Sequence, residues 1–345
     1  MFFFKKKSKT YLGIDIGASA IKLAELEKQE ERYRLKNYAI FSLDKYLEKN
    51  DYQINSESPK ISNQEMADII KSMIKSINVK SKDVCFSVPV YSSFSTLIDF
   101  PNMSEKEIAS AIPFEARKHI PVPVSEVILD WSIVSPLGQK EGQQVLLIAV
   151  LKKVVNNYSK IAQLAGLSIK TIEEETFSLS RALVGNDKST IVLIDAGARS
   201  IGVSIIDNGY IRVIHNLEMG GAKITKSIAN ELNFSAKKAE ELKKNLSIGD
   251  GQKGNIHPSL SIIAIEIKKI LDFYQSKYNR KIEKGIFVGD GIKMNNFTEY
   301  LADKLLIDVS IGDPFARIIY PPILKSTLKE LSPSLAVVIG LTMQG

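Results

Sequence analysis

The sequence holds a single cysteine, Cys85, so no disulfide can form within the chain, which fits a reducing cytoplasm or simply low cysteine usage. Its three histidines, His119, His215 and His257, are widely spaced and have no cysteine partners, which argues against a transition-metal site. No apolar run approaches the ~20 residues that a helix needs to span a bilayer. A signal peptide is not expected, because basic residues follow the first apolar ones and no cleavage site appears. No G-x-x-x-x-G-K-[ST] motif occurs, so a P-loop reading fails. A dinucleotide fold also fails: its glycine turn should open a helix, whereas the glycine turn near residue 17 opens a strand. There is no low-complexity tract.

What is present is ordinary for a folded protein: 44% hydrophobic and 25% charged residues in 345, long enough for two domains. The net charge of +7 reads as a lysine-rich surface. No basic patch with interleaved aromatics stands out, so no nucleic-acid partner is expected. An acidic membrane surface is the alternative partner. Phe2, Phe3 and Phe4 with Lys5, Lys6 and Lys7 would suit a weak interfacial tether, or equally a frayed terminus.

The chain is organised around residues 11–26, YLGIDIGASAIKLAEL. Leu12, Ile14 and Ile16 alternate into a small-residue turn, and Ile21 and Leu23 alternate out of it. That predicts strand, tight turn, strand, with Asp15 beside the turn. Gly17 lets the backbone turn tightly and brings N–H groups close to an anion. The pattern returns at residues 191–206, IVLIDAGARSIGVSII, with Asp195 and Gly197 standing 180 positions after Asp15 and Gly17. Two copies imply two similar halves facing each other across a nucleotide.

Further elements follow in order. A third strand is expected at 33–40, a polar loop at 42–60, a helix opened by the capping box Ser62-x-x-Glu65, and a buried strand at 84–90. In the next segment a strand at 94–100 precedes a second capping box, Ser104-x-x-Glu107, with Met103 and Ile108 as its hydrophobic staple. Pro113 should kink or restart that helix. Strands at 127–134 and 144–151 flank a hairpin turn at 138–143, and a helix at 152–165 ends at Gly166. Together 91–170 read as an α+β insert, with strands on either side of helices. The second repeat then adds the Asn208-Gly209 hairpin turn, helices at 221–232 and 236–245, a glycine-rich loop at 244–258 and a long amphipathic helix to about 278. A buried strand ending in Gly289-Asp290-Gly291, a helix at 295–305, a strand at 309–311 and a last helix at 333–341 complete the chain. The expected division is 10–90 with 171–189 as one half, 91–170 as the insert, and 190–345 as the other half, with a small subdomain at about 222–284.

A nucleotide triphosphate with its metal needs backbone N–H groups for phosphate oxygens and carboxylates for the metal's waters. Two Asp-x-Gly hairpins supply both, with Asp15 and Asp195 holding a hydrated Mg²⁺ and Lys22 reaching a phosphate as a point charge. Arg199 stands in the second turn where a small residue is usual; it would add charge there or crowd the phosphate.

These residues resemble the actin-like ATPase superfamily of actin, sugar kinases, DnaK-type chaperones and FtsA. Its five segments can be placed in order at 14–22, 174–183, 193–203, 285–297 and 334–343, nearly the whole chain. The closest resemblance is to the PilM family of type IV pilus assembly proteins. It is carried by FEARKHIPVPVSEVILDW at 114–131 and GGAKITKSIANELNFSAKKAEELK at 220–243.

The resemblance implies a duplicated, ribonuclease H-like α/β ATPase fold, two halves around a nucleotide cleft, and ATP with Mg²⁺ as ligands. Asp15, Gly17, Ala18, Ser19 and Lys22 would meet phosphate and metal, and Asp195, Gly197 and Ala198 would do so from the other half. Gly220 and Gly221 would lie near the phosphates, Glu240 and Lys243 would bond ribose and adenine, and Gly289, Asp290 and Gly291 would sit beside the adenosine. By charge pattern alone the AEELK run reads as a solvated helix face. Glu175, with Asp195, is the candidate to position water for hydrolysis, expected to be slow or absent. Alternatively the run Glu173-Glu174-Glu175 is a solvated acidic turn.

The family further implies a cytoplasmic protein at the inner face of the cell membrane. It would dock the N-terminal peptide of a PilN-like membrane protein and contact other pilus platform proteins; a homo-oligomer and a monomer are both compatible with the sequence. The partner groove is expected between the first half and the insert, with Val88, Tyr91, Phe94 and Pro121 in its lining, or those residues serve core packing. The rival is an FtsA-like division protein that polymerises at the membrane, against which the lack of an amphipathic tail after Leu341 weighs.

Overall fold

The computed structural model describes residues 9–43, 46, 61–134, 142–245 and 258–344. The Phe/Lys stretch at the start, most of the 42–60 loop, most of the 138–143 turn and most of the 244–258 loop lie outside the described residues.

In chain order, strands β1 (Lys9–Ile16), β2 (Ala20–Gln29) and β3 (Arg32–Ser42) precede helix α1 (Asn63–Ser76) and strand β4 (Asp83–Val88). Next come β5 (Ser93–Phe100), α2 (Glu105–His119), β6 (Val127–Val134) and β7 (Gln143–Leu151). Then follow α3 (Lys152–Ala165), β8 (Ser168–Glu174) and α4 (Glu175–Leu179). The second repeat gives β9 (Ile191–Ala196), β10 (Ile201–Asp207), β11 (Tyr210–Leu217), α5 (Gly221–Leu232), α6 (Ala236–Asn245) and α7 (Pro258–Tyr278). The chain closes with β12 (Lys284–Val288), α8 (Phe297–Leu305), β13 (Val309–Ile311), β14 (Ile318–Ile319) and α9 (Lys325–Thr342).

Two compact units result. The first contains Met1–Pro89, Lys153–Leu183 and Asp313–Gly345; the second contains Val90–Lys152 and Val184–Gly312. This differs from the expected division: residues 91–152 group with the second half, 184–189 fall in the second unit, and two longer segments move to the first. Residues 153–170, read as part of the insert, fall in the first unit, because β8 pairs in parallel with β4. Residues 313–345, read as part of the second half, also fall in the first unit: β14 pairs with β3, and α9 packs on β1 and β2.

The first unit is built on a six-stranded sheet of order β14-β3-β2-β1-β4-β8. Leu335, Val338 and Ile339 of α9 share a core with Ala24, Leu26 and Leu35. Helix α1 starts where its capping box predicts: Ser62 accepts from the Glu65 amide, and the Glu65 carboxylate accepts from the Ser62 amide.

The second unit carries a five-stranded sheet of order β11-β10-β9-β12-β13 and a separate three-stranded sheet of order β5-β7-β6. Helix α7 buries Leu260, Ile263, Ile267, Leu271 and Tyr274 in the core that also takes Val192, Ile194 and Phe287. The small sheet is the insert's, and α2 covers it. Ile108, Ile112 and Ala116 pack on Ile98, Val145, Leu147 and Ala149, with Met103 beside them. So the insert is one sheet with its helix on it, not strands on both sides of helices.

Two prolines sit inside helices that continue through them. Pro113 neither ends nor restarts α2, which runs unbroken from Glu105 to His119. Pro113 and Ala109 both lie on the exposed face, so water can serve the carbonyl that the proline leaves without a donor. Pro333 likewise sits inside α9, which starts at Lys325 rather than at Pro333, and Lys329, whose carbonyl loses its donor, is exposed.

Candidate functional site

The two hairpins match residue for residue. Ile16 faces Ile21 and Asp15 faces Lys22 across β1 and β2. Ala196 faces Ile201 and Asp195 faces Gly202 across β9 and β10. The Gly17 amide donates to the Ala20 carbonyl at 3.0 Å, and the Gly197 amide donates to the Ser200 carbonyl at 3.0 Å. The two glycine amides therefore close their own turns and do not point outward to an anion. The duplication is also incomplete: Gly202 stands in the place of Lys22, so the second hairpin lacks a cation on its outgoing strand.

In the second unit the predicted residues come together. Three successive carbonyls of the turn, those of Gly197, Ala198 and Arg199, accept hydrogen bonds from Gly221, Ala222 and Gly220 at 3.0, 2.9 and 3.1 Å. The start of α5 thus clamps the turn, and the positive end of its dipole lies at this point. Gly220 permits the approach: a Cβ there would come within 2.3 Å of the Arg199 carbonyl carbon and 2.4 Å of the Ala198 oxygen. On the other side, Gly289 has φ +88°, and a Cβ there would meet Asp195 Oδ1 at 2.4 Å. A Cβ at Gly291 would meet the Ala196 carbonyl oxygen at 2.7 Å. The glycine segment after β12 is therefore packed directly on the Asp195-Ala196 end of β9.

Lys243 completes the cluster. Its side chain is only 12% exposed and reaches from α6 back to the start of α5. Its Nζ donates to Glu240 Oε2 at 2.6 Å, to Thr225 Oγ1 at 2.8 Å and to the Gly221 carbonyl at 3.1 Å. Burial pushes the Glu240 carboxyl up, but the hydrogen bonds from Lys243 and Thr225 outweigh it and hold the group below its ordinary range. The AEELK run is thus not a plain solvated face: Lys243 is tied to the glycine pair 22 residues earlier. Asp290, whose charge would repel a phosphate, is paired with Lys293 at 2.9 Å.

In the first unit Asp15 is 6% exposed and accepts a 2.7 Å hydrogen bond from the Ser87 hydroxyl at the end of β4. The Leu43 amide donates to the Ser19 carbonyl at 2.9 Å, which ties the turn to the end of β3. The acidic run is not a solvated turn. Glu173 is held by both terminal nitrogens of Arg181 at 2.9 and 2.8 Å. Glu174 is buried and caps α4 by accepting from the Thr176 amide. Glu175 is half-buried as the first residue of α4.

Of the expected groove residues, Val88 is fully buried, which removes it from any surface groove. Tyr91 is half-buried beneath the Arg199 guanidinium, whose Cζ lies 4.2 Å from the ring centroid. Phe94 packs against the insert core, and Pro121 is exposed.

Sequence reasoning missed Ser87, Thr225 and Lys293. Each is a hydrogen-bond or charge partner of a predicted residue, and none stands at a distinctive spacing. Among the described residues no group of three or more His, Cys, Asp or Glu side chains gathers to hold a metal. Among the described residues no helix is long and apolar enough to cross a membrane.

Comparisons with known proteins agree with this architecture. FtsA of Bacillus subtilis is 27% identical over 148 residues, which are 38% of this chain and 34% of that protein. The chain thus spans about a third of the length of that curated relative. Among solved structures, the PilM-PilN type IV pilus biogenesis complex matches with a TM-score of 0.80 at 24% identity, over 96% of this chain and 97% of the other. MreB5 of Spiroplasma citri bound to ADP matches with a TM-score of 0.51 at 13% identity, over 96% and 94%. The fold is therefore the actin-like one, as the resemblance of its five segments implies. The family model for Type IV pilus assembly protein PilM matches residues 13–345, and with nearly the whole length matched, the chain belongs to the PilM family of type IV pilus assembly proteins.

Proposed function

We propose that this chain binds ATP with Mg²⁺ and serves the pilus assembly platform at the inner face of the cell membrane, where it docks the N-terminal peptide of a PilN-like membrane protein. One observation carries the nucleotide reading. Lys243 leaves the solvated side of its helix to join Glu240, Thr225 and Gly221, at the helix start that clamps the second turn. Its three ammonium hydrogens go to protein acceptors, so the lysine fixes Glu240 and the start of α5 on the side where a ribose or phosphate would lie. The solved fold neighbour MreB5 holds ADP, which supports the same ligand class here.

In this reading Glu240 and Lys243 face the ribose and adenine, Gly289 and Gly291 let the adenosine-side segment pack on Asp195 and Ala196, and Ala198 and Gly221 border the phosphates. Mg²⁺ would supply charge neutralisation of the phosphates, Asp195 would accept hydrogen bonds from its waters, and on the first unit Asp15 would take that role with Lys22 as a point charge. Glu175 and Asp195 are the candidate groups to orient a water, and hydrolysis is slow or absent.

The insert is the proposed receiver of the peptide. Its outer strand β6 pairs only with β7 among the described residues, and Ile128 and Ile133 on it are exposed. Such an edge suits strand addition, with side-chain pockets giving specificity. The solved complex of a PilM with PilN supports a partner of this kind.

A pull-down with a short N-terminal peptide of the neighbouring membrane protein, with and without Mg-ATP, tests the reading. Retention of the peptide supports it. No peptide retention together with ATP-driven filaments would favour the division-protein alternative.

A further inference from the structure

Arg199 is the one residue in which the second turn departs most from the first. Its counterpart in the first turn is Ser19. The second hairpin has lost the strand cation that Lys22 gives the first, and Gly202 stands in its place. Arg199 restores a positive charge three residues earlier, on the turn itself. Its backbone is fixed, since its carbonyl accepts from the Gly220 amide at 3.1 Å. Its side chain is exposed and makes no ion pair among the described residues. Among the described residues its guanidinium rests on the face of Tyr91. A ring face holds a cation more weakly than a phosphate oxygen pair does, so this arginine is parked rather than committed.

Tyr91 is well placed to register the difference. It sits in the short 3₁₀ turn Val90–Ser92, which leads without a gap into β5 of the insert. Val90 is buried, with its Cγ2 3.6 Å from where a Cβ on Gly202 would lie. The Ser93 hydroxyl donates to the Val90 carbonyl at 3.1 Å, and the Ser95 hydroxyl donates to the Ile214 carbonyl of β11 at 3.2 Å. The root of the insert is thus laid against the same hairpin that carries Arg199.

We propose that Arg199 determines how strongly this chain prefers a nucleoside triphosphate over a diphosphate. Its guanidinium leaves Tyr91 for the terminal phosphate, and the uncovered Tyr91 passes that state to the insert. The inference rests on the nucleotide reading above.

The test compares Mg-ATP and Mg-ADP affinities of the full chain by equilibrium titration in wild type, Arg199→Gln, Arg199→Lys and Tyr91→Leu. The sole tryptophan, Trp131 on β6 of the insert, gives a second readout by its emission. Arg199→Gln should lower the ATP-over-ADP preference about tenfold or more, and Arg199→Lys should restore part of it. The Trp131 emission should differ between the ATP and ADP complexes in wild type and not in Tyr91→Leu. If Arg199→Gln changes both affinities equally, or neither, the inference is overturned while the nucleotide reading stands. If wild type binds neither nucleotide, both fall together.

Discussion

Ser87 donates a 2.7 Å hydrogen bond to Oδ1 of Asp15, joining the ends of two parallel strands, and both side chains are buried. A buried carboxylate needs such a donor, since leaving it unserved costs the desolvation of the charge.

Ser87→Ala should therefore destabilise the first unit by about 1–3 kcal/mol. Urea unfolding followed by circular dichroism gives the value. An unchanged midpoint would mean that water replaces the hydroxyl without loss.

The pair of Asp207 and Arg280 governs acid stability. Asp207 is fully buried and accepts from the Arg280 guanidinium and from the Tyr274 hydroxyl at 2.7 Å. Burial pushes the carboxyl up, and these hydrogen bonds outweigh it and hold the group below its ordinary range. A carboxyl with a lowered folded pKa stabilises the fold above its unfolded value of about 4, and that stabilisation is lost as pH falls through the folded value. Arg280→Ala should cost about 2–3 kcal/mol at pH 7, below the range for fully buried pairs because the Arg280 side chain is 41% exposed. The variant should also lose less further stability than wild type between pH 7 and pH 3. Parallel loss in both proteins would assign the acid response to other groups.

Gly220→Ala should damage the second turn. The added Cβ falls within 2.4 Å of backbone atoms of Ala198 and Ser200, and backbone gives way poorly. We expect a folded protein about 1–3 kcal/mol less stable, by analogy with overpacked sites, and at least tenfold weaker for ATP. Thermal unfolding and nucleotide titration check the two parts separately.

Glu175→Ala should leave ATP affinity nearly intact, because a water-positioning group acts on the reaction and not on binding. Whatever slow phosphate release wild type shows should fall further. A large loss of nucleotide binding in this variant would count against its assignment.

Much of the fold was legible because it follows from local rules. Both capping boxes mark true helix starts, at Ser62 and Ser104. Asn208 and Gly209 both have positive φ, 56° and 80°, as a two-residue hairpin turn requires. The duplicated hairpins were legible because alternation and the Asp-x-Gly turn recur at a fixed offset. Other features depend on distant contacts that no local pattern encodes. Strand β14 is two residues long and exists only because it pairs with β3. The continuity of α2 through Pro113 depends on which face meets water. Within the candidate site, the positions of Glu240 and Lys243 came from family resemblance, since their charge pattern alone suggested a solvated face. Thr225, which joins them, lay in an ordinary helical turn. The Arg199–Tyr91 stack links residues far apart in the chain, and only the folded arrangement reveals it.

Titration of Mg-ATP into wild type and Lys243→Ala tests the central claim most directly. Wild type should bind, and Lys243→Ala, folded by circular dichroism, should bind at least tenfold more weakly, since a charge-assisted anchor is gone. Equal affinity in the two proteins would contradict a nucleotide site built on Lys243, Glu240 and the turn that α5 clamps.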